Sequence, residues 1–258
     1  MLSVVICLAV SLAACTIGAV CGIGGGVIIK PVLDLTGVAG PLATSLLSGS
    51  TVLAMSVVSL LQRTRAGQRI IPHTGIPIAL GAAVGGLAGS GLFELLCRYT
   101  SQSNAGTVQN SVLLVLTAAT LLYTFFQGRI QGISLTCAPL VFLSGFLLGC
   151  ASSLLGIGGG PFNLIVLALL LQMDSGQASF HSLLIIAVSQ AVSLISSGLT
   201  GGFADFSLPL LAGMVCCGIA GGHIGSALYR RLTRQQADRL FRILLAVIMG
   251  VCVFNILR

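Results

Sequence analysis

The sequence predicts an all-α integral membrane protein made of two inverted repeats. Each repeat contains a glycine-broken unit, either re-entrant or a half-helix, plus three transmembrane helices. Three observations support this prediction: the composition, the long apolar runs, and a glycine motif that occurs once in each half. Of the 258 residues, 56% are hydrophobic and only 7% are charged, with a mean hydropathy of +1.09. Soluble domains carry about 25% charged residues, so this chain has too few charges to cover a globule in water.

Eight apolar segments have the length of about 20 residues that a helix needs to cross a bilayer. They span residues 2–21, 39–62, 74–96, 107–126, 135–155, 176–198, 206–229 and 240–257. Two shorter apolar pieces, 27–35 and 162–173, are too short for an ordinary crossing. We interpret each short piece as a half-helix or as one arm of a re-entrant hairpin.

The motif Gly-Ile-Gly-Gly-Gly occurs at residues 22–26 and again at 156–160. A run of glycines is a poor helix former, because glycine loses the most backbone entropy on ordering. Irregular backbone at membrane depth is tolerated only where it is buried in protein or lines a cavity. One such break in each half is typical of a transporter whose binding site lies between two repeats.

Other matches between the two halves extend the repeat. Residues 44–46 (Thr-Ser-Leu) correspond to 181–183 (His-Ser-Leu), and a Gly-Gly-x-x-Gly-Ser pattern occurs at 85–90 and at 221–226. We therefore divide the chain into one membrane domain of two repeats with a short linker. The predicted boundaries are 1–126 for the first repeat, 127–134 for the linker and 135–258 for the second repeat.

The arginines predict how the repeats are oriented. In the first half they follow the second apolar segment, as Arg63, Arg65 and Arg69, whereas in the second half they follow the segment at 206–229. Because basic loops prefer the cytoplasmic side, equivalent loops then lie on opposite sides of the membrane, and the repeats are inverted. Both Arg-rich loops share a side only if each glycine-broken unit enters and leaves on the same side. The same rule accounts for the net charge of +7 without a nucleic-acid partner.

The glycine motif in both halves, with Lys30-Pro31-x-Leu33 after the first copy and Thr-Ser-Leu at 44–46, resembles the TauE/SafE sulfite exporter family, also called TSUP. The resemblance covers nearly the whole chain. It implies a multi-pass carrier of small anions, many of them sulfur oxyanions or organosulfonates. The second copy departs from the first, since Pro161 follows the glycines directly and Leu164 replaces the lysine.

Backbone N–H groups freed at a helix break, together with the positive end of the following half-helix, bind anions without a charged side chain. Lys30, one turn beyond the first motif, adds either attraction for the anion, an interfacial anchor or an ion pair with Asp34. Hydroxyl and amide donors near the motifs suit sulfonyl oxygens, and His181 is a candidate proton carrier or a structural histidine. The predicted substrate-binding residues are Gly24, Gly25, Gly26, Lys30, Thr44, Ser45, Gly158, Gly159, Gly160, Asn163, His181, Ser182 and Gln190.

The predicted function is a secondary transporter of small sulfur-containing anions in the cell (inner) membrane, working by alternating access between the two glycine turns. Protons or the membrane potential would drive it, and no cofactor or metal is expected. Alternatives are a channel for anions or small solutes, a membrane subunit that depends on a partner, and a membrane-embedded enzyme or redox protein that uses the cysteines. Most cysteines fit as small apolar filler, although Cys21 adjoins the first glycine motif. No catalytic constellation accompanies the five acidic residues, so the sequence predicts no enzyme.

Overall fold

The structure, a computed structural model, describes residues 2–36, 40–99, 102–126, 132, 137–199 and 207–257. Within these ranges the chain is all-helical and forms ten α-helices. They are α1 (Leu2–Cys21), α2 (Gly26–Thr36), α3 (Pro41–Arg65), α4 (Pro72–Tyr99), α5 (Gln102–Phe126), α6 (Ala138–Leu154), α7 (Pro161–Leu171), α8 (Ser175–Leu199), α9 (Leu208–Tyr229) and α10 (Arg234–Leu257).

Each of the eight long apolar segments corresponds to one helix, and the two short pieces are α2 and α7. α1 and α6 each end where a glycine motif begins, and the short helix follows the motif. The predicted linker, apart from Gly132, and the loop at 201–206 lie outside the described residues.

Among the described residues, six helices are long and apolar enough to cross a membrane: α1, α3, α4, α5, α8 and α9. α6 and α7 are shorter apolar helices. Large hydrophobic side chains cover the outside of the molecule, for example Leu61 (54% exposed), Leu122 (61% exposed) and Phe125 (66% exposed). Such a surface favours contact with lipid rather than water, in agreement with the predicted all-α membrane fold.

Two helix pairs, α4 with α6 and α1 with α9, pack through glycines. A Cβ placed on Gly85 in α4 would lie 2.1 Å from the carbonyl oxygen of Phe146, and one on Gly225 in α9 would lie 2.4 Å from that of Thr16. Small residues allow such close approach of backbones in membranes. In both pairs the residue numbers rise together along the contact, so the paired helices run parallel. Each pair joins a helix of the first half to a helix of the second.

α3 and α8 cross at the centre of the molecule in opposite directions. Arg63, near the end of α3, donates a hydrogen bond to Ser179, near the start of α8. Gly49, in the first half of α3, packs against Gln190, in the second half of α8. α3 and α8 are the helices that carry the corresponding motifs at 44–46 and 181–183.

The ends of α3 and α9 lie on the same side of the molecule. The guanidinium carbon of Arg63 lies 3.9 Å from the centre of the Tyr229 ring at the end of α9. We call this the arginine-rich side, because Arg65 is the last residue of α3 and Arg69, Arg230 and Arg231 follow these helix ends. α8 begins on this side, and α3 begins on the opposite side.

Candidate functional site

The two glycine turns meet between α3 and α8. A Cβ placed on Gly26 would lie 1.9 Å from the carbonyl oxygen of Ile157, and one on Gly24 would lie 3.5 Å from that of Gly158. Val52, near the middle of α3, packs against the turns of both halves. The structure therefore brings the first and second motifs into direct contact, although they are more than 130 positions apart in the sequence.

The backbone of the turns requires glycine at several positions. Gly24, Gly158 and Gly159 have φ values of +74°, +70° and +117°, a region that side-chain-bearing residues rarely adopt. Within the described part of the chain, the N–H groups of Gly24, Gly25, Gly158 and Gly159 donate no hydrogen bond. Successive N–H groups in such turns form concavities that bind anions. The turns are therefore chemically suited to hold a small oxyanion.

Side chains from α7 and α8 add polar groups beside the turns. Asn163 donates from Nδ2 to the hydroxyl of Ser182 over 3.4 Å, and both residues are fully buried. The amide oxygen of Asn163 has no hydrogen-bond partner among the described residues. Gln190 donates to Ser152 over 3.5 Å and packs against Gly158. Three predicted residues, Asn163, Ser182 and Gln190, thus lie next to the second turn.

Lys30 is buried, with 3% of its surface exposed, and its ammonium group donates to the hydroxyl of Ser45 over 3.0 Å. Asp34 lies 4.0 Å away from this ammonium, and the ring of Phe93 lies 5.8 Å away. The predicted ion pair with Asp34 is therefore present, and the predicted interfacial anchor is wrong because the side chain is enclosed. Ser45 in turn packs against Gly156, where a Cβ would lie 2.3 Å from its hydroxyl.

The remaining predicted residues, Gly25, Gly160, Thr44 and His181, are not described by a contact between the two turns. The nearest neighbours of Gly25 are in α1, and Gly160 packs against the ring of Phe162. Thr44 is buried in α3. His181 bonds through Nδ1 to the carbonyl oxygen of Gln177 over 2.9 Å, and its Nε2 has no partner among the described residues. That nitrogen faces α4, at the arginine-rich end of α8, because a Cβ on Gly75 would lie 3.6 Å from it.

Arg63 was interpreted from the sequence as a loop charge, and this interpretation is wrong. It lies in the last turn of α3 with only 2% of its surface exposed. Its guanidinium donates to the hydroxyl of Ser179 over 2.8 Å and to the carbonyl oxygens of Ala19 and Val20 at the end of α1, over 2.5 and 3.3 Å. Hydropathy ends a segment at the first charge, which is why Arg63 was missed. The sequence does contain a signal for this burial. Ser48, Ser56, Ser59 and Arg63 are spaced so that they lie on one face of α3, and a polar face in an apolar helix predicts that this face is buried in the protein.

Cavities of very different size lie on the two sides of the crossing. The larger, of about 460 Å³, opens at the arginine-rich side and includes Cys21, Ser179 and Tyr229 in its lining. The smaller, of about 20 Å³, lies towards the opposite side and includes Ser45, Gly156 and Gln190. Cys21, which the sequence placed beside the first turn, does line a cavity.

Comparison with known proteins identifies the family of the chain. The model of the family described as sulfite exporter TauE/SafE matches residues 7–253. No curated protein and no solved structure matches the chain. The family match runs through both glycine turns and all the helices that position them. The chain therefore belongs to the sulfite exporter TauE/SafE family of membrane transporters.

Proposed function

We propose that the protein is a secondary transporter of small sulfur oxyanions or organosulfonates, such as sulfite, thiosulfate or sulfoacetate. The observation that carries the proposal is the meeting of two glycine turns whose N–H groups are free to bind an anion. The anion binds at this crossing, with Asn163, Ser182 and Gln190 as further polar groups. Hydrogen bonds from neutral donors suit several oxyanions, so the size and shape of the binding site select the substrate.

The two halves act as inverted repeats. The antiparallel crossing of α3 and α8 supports this arrangement. The pairs α1–α9 and α4–α6 support it too, because each joins a helix of one half to a helix of the other. An inverted pair can adopt two conformations of opposite access, in which the repeats exchange their shapes around a fixed site. In the cell membrane the arginine-rich side faces the cytoplasm, by the preference of basic loops for that side.

The unequal cavities favour a carrier over a channel. A cavity of about 460 Å³ on one side and one of about 20 Å³ on the other fit a carrier that is open to the arginine-rich side. A carrier in this conformation takes its substrate from that side and releases it after the opposite side opens. Either the membrane potential drives the cycle, or a proton carried by His181 does, since its Nε2 has no hydrogen-bond partner in the described part of the chain.

Transport by the purified full-length protein in liposomes tests the proposal. Uptake of sulfite, thiosulfate, sulfoacetate, taurine and sulfate is measured with and without a pH gradient, and acetate serves as the carboxylate control. We expect saturable flux of at least one sulfur anion, and Lys30→Ala is expected to weaken its apparent affinity. Flux that rises linearly with concentration would indicate a channel instead. Absence of flux from folded protein would overturn the proposed function or require a partner.

The pH gradient separates the two driving forces. Flux that depends on the gradient, and that His181→Gln uncouples from it, supports proton coupling. Flux that responds to the membrane potential alone, with His181→Gln behaving as the unaltered protein, leaves His181 a structural role.

A further inference from the structure

We infer that Ser179, on the wall of the large cavity, and Arg63, which bonds to it from behind that wall, form an anion-binding subsite distinct from the glycine crossing. The inference rests on the proposed transport of anions and adds a site to it. Lys30 and Ser45 form the corresponding subsite on the opposite side. The anion thus meets one cation–serine pair on each side of the crossing.

The first argument is the charge of Arg63. It is a buried cation, and in the described ranges no carboxylate lies within 4 Å of it. A cation inside a membrane protein is costly unless it is compensated. The carbonyl oxygens of Ala19 and Val20, at the negative end of the α1 dipole, supply only partial compensation. Its Nε has no hydrogen-bond partner among the described residues, so part of the hydrogen-bonding capacity of this charged group is unmet.

The second argument is access. Ser179 and Tyr229 both line the cavity of about 460 Å³, and both contact Arg63 directly. Because the hydroxyl oxygen of Ser179 accepts from Arg63, its own proton is available for donation towards the cavity. An anion at this wall would meet a hydroxyl donor that the guanidinium polarises. Hydrogen bonds that involve a charged group are roughly twice as strong as neutral ones.

The third argument is that a serine bonded to a buried cation contacts the first glycine of each motif, although neither the two serines nor the two cations occupy equivalent positions in the repeats. Ser179 packs against Gly22 of the first motif, where a Cβ would lie 2.0 Å from its hydroxyl, and it accepts from Arg63. Ser45 packs against Gly156, the equivalent position of the second motif, and it accepts from Lys30. Each serine belongs to the opposite half from the glycine it touches. Packing alone does not require a buried cation at both places.

The two subsites differ in a way that fits the open and closed sides. Lys30 is paired with Asp34 and lies beside the cavity of about 20 Å³. Arg63 has no such acid among the residues that the structure describes, and it lies behind the wall of the large cavity. The subsite on the open side is therefore ready to bind an anion, while the one on the closed side is occupied by an internal ion pair.

Sided transport tests the inference. Ser179→Ala and Ser45→Ala are compared in inverted membrane vesicles and in spheroplasts, with sulfite and thiosulfate as probes. We expect Ser179→Ala to weaken the apparent affinity by about tenfold at the face that carries the arginine-rich side, and Ser45→Ala to do so at the opposite face. Arg63→Lys, which keeps the charge, is expected to lose less affinity than Arg63→Gln at the same face. Ser11→Ala, which truncates a fully buried serine of α1 that contacts neither cation, is the control.

The outcomes separate this inference from the proposed function. If the unaltered protein transports no anion, the proposed function fails and the subsites with it. If the unaltered protein transports an anion but Ser179→Ala matches Ser11→Ala at both faces, only the Arg63–Ser179 subsite is overturned. An equal loss at both faces from either serine variant would likewise overturn the sided assignment. Arg63→Gln also removes the hydrogen bonds that Arg63 donates to the carbonyl oxygens at the end of α1. If this variant fails to fold, the serine variants alone decide whether the subsite exists.

Discussion

At the scale of single residues, Gly26 offers the sharpest test of the contact between the turns. Its φ value is one that alanine also adopts, so Gly26→Ala changes only the space, and the new Cβ would lie 1.9 Å from a backbone oxygen of Ile157. Overpacking of this kind costs about 1–3 kcal/mol. We expect saturable anion flux to be lost and the thermal unfolding midpoint of the purified protein to fall.

Gly91→Ala in α4 is the matched control, because a Cβ there would meet nothing within 4 Å. It should leave flux unchanged and raise stability slightly, since alanine is the better helix former by about 0.5–1 kcal/mol. If Gly26→Ala transports as well as Gly91→Ala, the two turns are not a joint binding site.

The residue scale also shows what could be predicted from the sequence. The glycine motifs were found because three consecutive glycines in an apolar run have no simple packing role. Lys30 was found because a lone lysine in such a run is conspicuous. The row of serines along α3 indicates which face is buried, but it does not indicate the partners of Arg63. Ser179 and Tyr229 lie more than 100 positions away in the sequence, and only the folded chain brings them to it.

At the scale of elements, glycines set the distance between paired helices. A Cβ on Gly85 would lie 2.1 Å from the carbonyl oxygen of Phe146, so Gly85→Ala forces α4 away from α6. Membrane helices associate through close packing rather than a hydrophobic driving force. We therefore expect Gly85→Ala to lower the midpoint of thermal aggregation in detergent, with a loss of about 1–3 kcal/mol.

Gly225→Ala in α9 should have a similar effect, because its Cβ would lie 2.4 Å from the carbonyl oxygen of Thr16 in α1. Gly250→Ala in α10, where nothing lies within 4 Å, is the neutral comparison. Equal midpoints for Gly85→Ala and Gly250→Ala would contradict close α4–α6 packing.

Hydropathy predicted the elements well and their partners poorly. Apolar length is a local property, so the long segments and the two short pieces at 27–35 and 162–173 correspond to helices. Pairing is a property of the assembled molecule. The repeated Gly-Gly-x-x-Gly-Ser pattern signalled close packing, but nothing in it indicated that α4 packs against α6, or α9 against α1, in the other half of the chain.

At the scale of the whole molecule, the arginine pattern makes a prediction about sidedness. The charge distribution required both Arg-rich loops on one side, and the contact between Arg63 and Tyr229 places the ends of α3 and α9 together. That both Arg-rich loops lie on one side of the molecule follows from the geometry of the chain alone. Its assignment to the cytoplasm follows from charge and is tested separately.

Single cysteines at exposed positions test both statements. Ala66→Cys follows α3, Gln235→Cys begins α10, and Tyr99→Cys ends α4 on the opposite side; Tyr99 is 85% exposed. With a membrane-impermeant maleimide, the first two should be labelled in inverted vesicles and the third in spheroplasts, because basic loops stay in the cytoplasm. Mass spectrometry of the peptide that carries each new cysteine separates its labelling from that of the native thiols. Labelling of Ala66→Cys and Gln235→Cys from opposite faces would contradict the fold, whereas labelling of both only in spheroplasts would reverse the orientation and keep the fold.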